Sequence, residues 1–457
     1  MIFNDLGFLF VFLPLVLIAV YVTFPAEARV WVLLAGSLIF YCFSGVIHAG
    51  LLLLCILWVY WITAPPAVMQ GNWVRLVLAI LLPVASLLYF KYANFLLSPI
   101  RLLIGAEESR HFSLLRDVVL PAGISFFTFQ LVSFAIDRFR GTIPEQPRFK
   151  HFALYVSFFP HLVAGPILRY EDIREQLLRL ERFVPASSDL VVACGYIVFG
   201  LFSKVLIADI VAGEIAPFVA TPVLLTPSGA IYVVLGYSFQ IYFDFYGYSL
   251  IAIGLARLFG IGFPANFLRP YESLSPREFW RRWHVTLSSW IRDYLYLPLG
   301  GNQRYVRNIV IVFAACGLWH GAGWNFVVWG LLHGGMVIGY QLLRRHWDRW
   351  PRLIQWALTF TLVSLGWTLF LYDFQGAADI IRALFGAGGS LGPDIIDWWS
   401  LAIAGVVCFT VNFERLIARI EKASRYPAAL WGALLASLAV GAVMFLDKTS
   451  SFIYFRF

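Results

Sequence analysis

Charged residues are scarce in this sequence. Only 13% of its 457 residues are Asp, Glu, Lys or Arg, whereas a soluble domain carries roughly 25%. Hydrophobic residues make up 60% and aromatic residues 18%, and the mean hydropathy is +0.78. This composition excludes an ordinary soluble enzyme. The net charge of +8 is attributed to cytoplasmic loops of a membrane protein. We therefore expect the lipid bilayer, and no nucleic acid, as a partner.

Cysteine is also rare, and the motifs of several enzyme classes are missing. No CxxC pair occurs, which argues against a disulfide framework or a zinc ribbon. HExxH, P-loop, GxGxxG and GxSxG motifs are absent as well. A metal site needs three or four ligands at workable spacing, and no such set is visible, so we expect no metal. The five cysteines are Cys42, Cys55, Cys194, Cys316 and Cys408.

The apolar residues predict an all-α polytopic membrane protein, which we treat as one domain over residues 1–457. Because a helix needs roughly 20 apolar residues to cross the hydrocarbon, we expect about 10–11 crossings. Block 308–343 is too long for one crossing. Stretches near 151–170 and 258–307 are broken by Pro and Gly or too polar to span. We expect them to be re-entrant or interfacial around a central chamber, where irregular backbone is tolerated.

Short loops orient the C-terminal half. Arginines cluster within 344–352 and basic residues within 414–426, whereas 373–397 is rich in Asp. The positive-inside rule places the two basic loops in the cytoplasm. It places 373–397 and 447–457 outside. The first apolar run has no basic region before it, so it is expected to be a membrane helix and not a cleaved signal peptide.

His320 is the first candidate for chemistry, because it lies in a stretch without acids or other strong bases. An ionisable group within a membrane segment is a candidate functional residue, although histidines also join helices by hydrogen bonds. Glycines at 317, 321 and 323 are expected to leave space around the imidazole. Asn325 is expected to fix the ring's tautomer or to supply a hydrogen-bond donor. A buried neutral imidazole suits a general base.

His284 ends the run Phe279-Trp280-Arg281-Arg282-Trp283-His284. The run is also compatible with an interfacial belt of Trp and Arg. Its density favours a site in which Arg281 and Arg282 bind a phosphorylated carrier. Asp293 is expected to orient an arginine or a histidine.

Other buried polar residues allow two interpretations. Asp244 is either a site residue or a carboxylate paired with a base or with backbone donors. Lys204 allows the same two interpretations, as a site residue or as a paired charge. His333 is interpreted as a helix-packing group.

Two motifs together resemble the membrane-bound O-acyltransferase family. They are Glu278–His284 continuing into Ser288–Asn302, and Gly317-Leu318-Trp319-His320-Gly321. The segments around Asp244 and Phe452–Phe457 add to the resemblance, which covers most of the chain. It implies an acyltransferase fold of many membrane helices with His320 as the catalytic histidine. His284 then occupies the family's second polar position, and Trp319 and Trp280 are supporting residues.

The Leu-Gly-Gly-Asn ending at Asn302 favours the polysaccharide-acetylating branch over the D-alanyl branch. The resemblance thus implies acetyl-CoA as donor, no permanently bound cofactor and an inner-membrane location. The charge pattern of the loops predicts a periplasmic C-terminus. An extracytoplasmic polysaccharide-acetylating partner would receive the acetyl group. Tyr454 is a candidate acyl relay, although aromatic residues also gather at membrane interfaces. Asn325, His284 and Trp indoles are candidate oxyanion donors. The alternatives to acetyl transfer are D-alanyl transfer, another acyl transfer to a cell-envelope polymer, or a non-catalytic transporter or channel.

Overall fold

The structure is a computed structural model that describes residues 2–64, 69–103, 119–422, 425–446 and 452–453. Within these ranges the fold is helical, and the only extended pairing is an isolated bridge between Leu225 and Leu391. The prediction of an all-α protein is therefore confirmed. The chain groups into two compact units. Whether they form the single domain expected from the sequence stays a prediction.

The first unit contains residues 1–193 and 255–263. Its core is aromatic, and the rings of Phe12, Phe40 and Phe159 lie 5.6–5.7 Å from one another. Residues 151–168 are all buried. They form two short helices with a break at Phe158, so the predicted interruption at 151–170 is present. Its helices are Phe8–Phe12, Leu13–Ile18, Ala19–Thr23, Ala26–Ala28, Arg29–Cys42, Val46–Ile62, Trp73–Leu87, Leu88–Tyr92, Ala93–Leu103, Ile124–Arg140, Phe149–Ser157, Phe159–Leu162, Tyr170–Arg179 and the start of Ser187–Leu201.

The second unit contains residues 194–254 and 264–457 and carries all the candidate site residues. Within the stretch 258–307, residues 264–304 form short helices and turns, and the expectation that this stretch is re-entrant or interfacial stays a prediction. The helices of this unit are Phe202–Ala208, Asp209–Ala220, Pro222–Leu224, Pro227–Leu258, Pro270–Glu272, Pro276–Arg282, Val285–Ile291, Arg292–Tyr296, Gly301–Arg304, Tyr305–His320, Trp324–Trp347, Arg352–Gly366, Thr368–Leu371, Phe374–Leu384, Ile395–Trp398, Trp399–Thr410, Phe413–Glu421 and Arg425–Met444.

Four helical segments in the described ranges are long and apolar enough to cross a membrane. A fifth crossing is added if the pair Ile395–Thr410 and Phe413–Glu421, bent by 60°, counts as one span. Fewer segments meet this criterion than the 10–11 crossings expected, because apolar helices such as Val46–Ile62 have only 17 residues. The four segments are Trp73–Ser98, Ser187–Ala220, Trp324–Trp347 and Arg352–Leu371.

The long apolar block 308–343 folds as two helices, Tyr305–His320 and Trp324–Trp347, which pack as an antiparallel hairpin. Glycines allow the close approach. A Cβ added at Gly317 would lie 2.1 Å from the Phe326 carbonyl oxygen, and one at Gly330 would lie 2.1 Å from the Phe313 carbonyl oxygen. Small residues at such contacts let helix backbones approach closely. The hairpin places His320 at the end of its first helix.

Candidate active site

His284 lies at a sharp corner between two short helices. Ser275 caps the first, Pro276–Arg282, by accepting the Glu278 backbone N–H at 3.2 Å. The second helix, Val285–Ile291, begins directly after His284, whose φ of 44° and ψ of 56° are left-handed. A non-glycine residue in this region costs about 1–3 kcal/mol. Such strain is retained where the surrounding contacts fix the residue, and it is frequent at functional sites.

Asn266 fixes this corner through its side chain. Its Oδ1 accepts the Thr286 backbone N–H at 3.3 Å and the Thr286 hydroxyl at 2.9 Å. The same oxygen lies 3.1 Å from His284 Nδ1. Because an amide oxygen only accepts, Nδ1 carries the proton and donates. His284 Nε2 therefore has the lone pair, and it has no hydrogen-bond partner among the described residues.

Burial determines the charge of His284. The ring is fully buried, and Phe245 contacts it edge-on at 4.7 Å. Desolvation lowers the pKa of His284 to about 3, so the imidazole is neutral at physiological pH. A neutral ring with Nδ1–H already donated can accept at Nε2 but cannot donate there. In this tautomer His284 therefore does not fit the expected role of oxyanion donor at Nε2.

His320 is enclosed by aromatic rings. It is 2% exposed, and the rings of Trp319, Trp329 and Phe370 have centroids 4.7, 5.0 and 5.2 Å away. Trp319 also contacts His284 at 5.9 Å. The two histidines, 36 positions apart in the sequence, thus share contacts with one indole. Trp329 was not selected from the sequence, although it precedes His333 by one helical turn.

The glycines near His320 do not leave open space. A Cβ added at Gly321 would lie 2.2 Å from the Phe326 ring, and the Gly317 position faces backbone of the neighbouring helix. Asn325 does not contact His320 either. Its Nδ2 donates to the Leu369 and Tyr372 carbonyl oxygens at 3.1 and 3.3 Å. Both sequence-based expectations are therefore wrong, because the following helix packs into the volume that the glycines provide.

His333 lies in the same aromatic cluster. Its ring is fully buried, 4.9 Å from Trp329 and 5.2 Å from Trp280. Neither ring nitrogen has a hydrogen-bond partner in the part of the chain described. The sequence predicted that His333 joins helices through a hydrogen bond. No such bond to a described residue is present, and the ring packs against aromatic side chains instead.

A cavity of about 230 Å³ opens beside this cluster. Trp280, Phe313 and Cys316 form part of its wall, and Cys316 is one turn before His320. Ring contacts connect the wall with the histidine, because Trp280 lies 5.8 Å from Trp329, which contacts His320. The cavity is smaller than the roughly 300–1,000 Å³ of a drug-sized ligand site. Its size fits a narrow chain.

Three arginines line this cavity, namely Arg277, Arg281 and Arg292. Arg292 is held by Asp293 through contacts of 2.6 and 3.0 Å, so Asp293 orients an arginine as the sequence suggested. Arg281 is exposed and has no carboxylate within ion-pair distance among the described residues. Arg282, in contrast, is bound to Glu278 at 2.5 Å and does not line the cavity. The cavity thus joins an apolar wall to cationic groups suited to phosphate.

Another candidate, Asp244, does not line the cavity. Asp244 pairs with Lys204 and accepts a backbone N–H from Ile453. Of the two interpretations of the sequence, the structure thus matches the carboxylate that is paired with a base and a backbone donor. Tyr454 lies outside the described residues.

Residues 40–372 match the model of MBOAT, the membrane-bound O-acyltransferase family. The chain belongs to the membrane-bound O-acyltransferase family. It is 38% identical over 412 residues to a probable alginate O-acetylase from Azotobacter vinelandii, covering 87% of this chain and 79% of the relative. It is 34% identical over 435 residues to a peptidoglycan O-acetyltransferase from Helicobacter pylori, covering 85% and 80%.

A teichoic acid D-alanyltransferase from Streptococcus thermophilus is 29% identical over 287 residues, covering 54% of this chain and 67% of the relative. The family match and the O-acetyltransferase relatives identify the chain as an O-acyltransferase. Its long apolar helices are those of a membrane-embedded protein. The resemblance seen in the two histidine motifs is confirmed at the level of the family.

Proposed function

We propose that the enzyme moves an acetyl group from cytoplasmic acetyl-CoA across the inner membrane for the O-acetylation of an exported, alginate-like polysaccharide. The observation that carries this proposal is the cavity with three arginines at its lining and an apolar wall one helical turn from His320. Arginines bind phosphate oxygens bidentately, and the apolar part suits the pantetheine arm and the acetyl group. The acetylase relatives, at 38% and 34% identity, favour acetate over D-alanine.

In this mechanism His320 is the base that takes the proton from the acceptor hydroxyl. The hydroxyl oxygen attacks the thioester carbonyl, the C–S bond breaks, and the CoA thiolate leaves and takes up a proton. His284 supports the reaction as a neutral acceptor, since its Nε2 lone pair is available. Trp329 is the proposed oxyanion donor, because its Nε1–H is buried without a described partner and its ring contacts His320. A single donor of this kind contributes about 10²–10³-fold to the rate.

The proposed location is the cell inner membrane, with the donor entering from the cytoplasm and the C-terminus in the periplasm. The acetyl group would pass to an extracytoplasmic partner that acetylates the polymer. Tyr454 is the proposed relay, because a long polymer need not then reach the buried histidines. If Tyr454→Phe leaves polymer acetylation unchanged, the relay is excluded.

The test of the function is transfer by purified protein in detergent with radiolabelled acyl thioesters. Acetyl-CoA should be cleaved and its acetyl group recovered in an ester. His320→Ala should lose about 10²–10⁴-fold in rate while retaining its thermal unfolding profile. Near-native rates in His320→Ala would remove the base assignment. Absence of thioester cleavage with every donor would favour a transporter instead.

A further inference from the structure

Lys204, Asp209 and Asp244 form a buried ionic cluster that the proposed mechanism does not use. Lys204 Nζ lies 2.8 Å from Asp209 Oδ1 and 2.7 Å from Asp244 Oδ1. The three side chains are at most 5% exposed. Burying charges costs several kcal/mol per ion, and replacing such a cluster by apolar residues is often neutral or stabilising. Stability alone is therefore a weak explanation for it.

Lys204 lies in the π-helical segment Phe202–Ala208, which faces Gly247 of helix Pro227–Leu258. A Cβ added at Gly247 would lie 2.9 Å from the Lys204 backbone nitrogen. This close approach brings the ammonium group to the Asp244 carboxylate. Widened π-helical turns are frequent at functional sites.

The second oxygen of Asp244 binds a distant part of the chain. Its Oδ2 accepts the Ile453 backbone N–H at 2.8 Å, across 209 positions of sequence. A hydrogen bond to a carboxylate is shorter and roughly twice as strong as one between neutral groups. Because Lys204 engages Oδ1, it orients the carboxylate so that Oδ2 faces Ile453.

The segment Phe452–Ile453 lies close to the candidate active site. Phe452 stacks on Tyr248 with ring centroids 4.6 Å apart and meets Phe245 at 5.7 Å. Phe245 is the ring that contacts His284 at 4.7 Å. One aromatic side chain therefore separates this segment from the imidazole, and both Phe452 and Ile453 are buried.

We propose that Asp244, oriented by Lys204, is a positioning residue that docks the segment Phe452–Ile453 beside His284, and that acyl transfer depends on this docking. The inference rests on the proposed function. The cluster does not line the arginine-lined cavity, so its proposed role is to position the segment and not to bind the donor.

Ile453→Pro is the decisive variant, because it deletes the N–H that Asp244 accepts and leaves the Lys204–Asp244 pair intact. Ile453→Ala is the matched control, since it shortens the same side chain but keeps the N–H. Hydrogen exchange of the peptide that carries Phe452, measured in full-length protein in detergent, reports docking directly. We expect faster exchange in Ile453→Pro, and native exchange or a small increase in Ile453→Ala.

The second readout is acyl transfer. Ile453→Pro should lower kcat for transfer about tenfold to a hundredfold, with the KM for acetyl-CoA unchanged, and Ile453→Ala should remain near native. Asp244→Asn removes the ion pair with Lys204 as well as weakening the bond to Ile453, so its loss should be at least as large as that of Ile453→Pro. A merely structural role would instead lower the unfolding temperature and leave kcat unchanged.

Two results would overturn the proposal. The first is native exchange in Ile453→Pro, and the second is native kcat despite faster exchange. If native protein cleaves no thioester at all, the proposed function fails, whereas the exchange measurement still reports whether Asp244 docks the segment. The two failures are thus distinguishable.

Discussion

Asn266 Oδ1 lies 3.1 Å from His284 Nδ1, and this contact assigns the proton of the imidazole to Nδ1. The assignment is secure because the same oxygen accepts a backbone N–H from Thr286, which an amide nitrogen could not do. His284 therefore presents a lone pair at Nε2. In a neutral histidine, the hydrogen bond made by one ring nitrogen determines what the other can do.

Asn266→Asp should make transfer sensitive to acid. Burial lowers the pKa of His284 to about 3, and an adjacent carboxylate would raise it by stabilising the imidazolium. The Nε2 lone pair is lost as pH falls through the raised pKa, so the acid limb of kcat/KM moves to higher pH. Ser249→Ala is the control, because it removes only the hydroxyl near Asn266 Nδ2. Superimposable profiles for Asn266→Asp and native enzyme would contradict an acceptor role for His284.

Trp329→Phe should lower kcat about 10²–10³-fold with little change in the KM for acetyl-CoA. The substitution keeps an aromatic ring against His320 and removes the Nε1–H proposed to stabilise the oxyanion. Trp367→Phe is the comparison, since its Nε1–H is already donated to the Tyr271 hydroxyl. Steady-state kinetics with varied donor would separate the two parameters, and an unchanged kcat in Trp329→Phe would exclude the donor role.

Arg281→Ala should raise the KM for acetyl-CoA about tenfold and leave kcat nearly unchanged, because it removes a phosphate contact away from the reacting atoms. Arg282→Ala should have a smaller effect, since that guanidinium is bound to Glu278 and lies outside the cavity lining. The difference in KM between native enzyme and Arg281→Ala should shrink with added salt, because salt screens the attraction between the guanidinium and phosphate. Equal KM values for native enzyme and Arg281→Ala would show that the phosphates bind elsewhere.

Gly330→Ala should destabilise the helical hairpin by about 1–3 kcal/mol, because the added Cβ would lie 2.1 Å from the Phe313 carbonyl oxygen. Gly335→Ala, on the same helix, meets nothing within 4 Å and should be neutral. Thermal unfolding in detergent measures both. The hairpin carries His320, so transfer should fall in Gly330→Ala only. Similar unfolding temperatures for the two variants would refute the close helix contact.

The membrane class and the helical fold were predictable because they follow from local composition. Block 308–343 was recognised as too long for one crossing, and the structure divides it after His320. The number of crossings was not predictable in the same way. Helices such as Arg29–Cys42, with 14 residues, show that an apolar block need not be one straight span.

The candidate site was only partly predictable. Both histidines stood out because an imidazole in an apolar or arginine-rich segment is unusual, and the structure brings them against Trp319. Asn266 was missed, since nothing in its neighbouring sequence distinguishes it from a loop asparagine. Asn325 was given the wrong partner, because its amide faces the helix that ends at Leu371.

The sequence by itself determined that this chain is a helical membrane protein of the acyltransferase family with two distinctive histidines. Composition and short motifs are properties of neighbouring residues and need no knowledge of contacts. Only the tertiary structure decided the tautomer of His284, the filling of the glycine-rich corner at His320 and the docking of Ile453 on Asp244. These depend on groups 5 to 209 positions apart, whose approach is fixed by helix packing and by the burial of polar atoms that require partners.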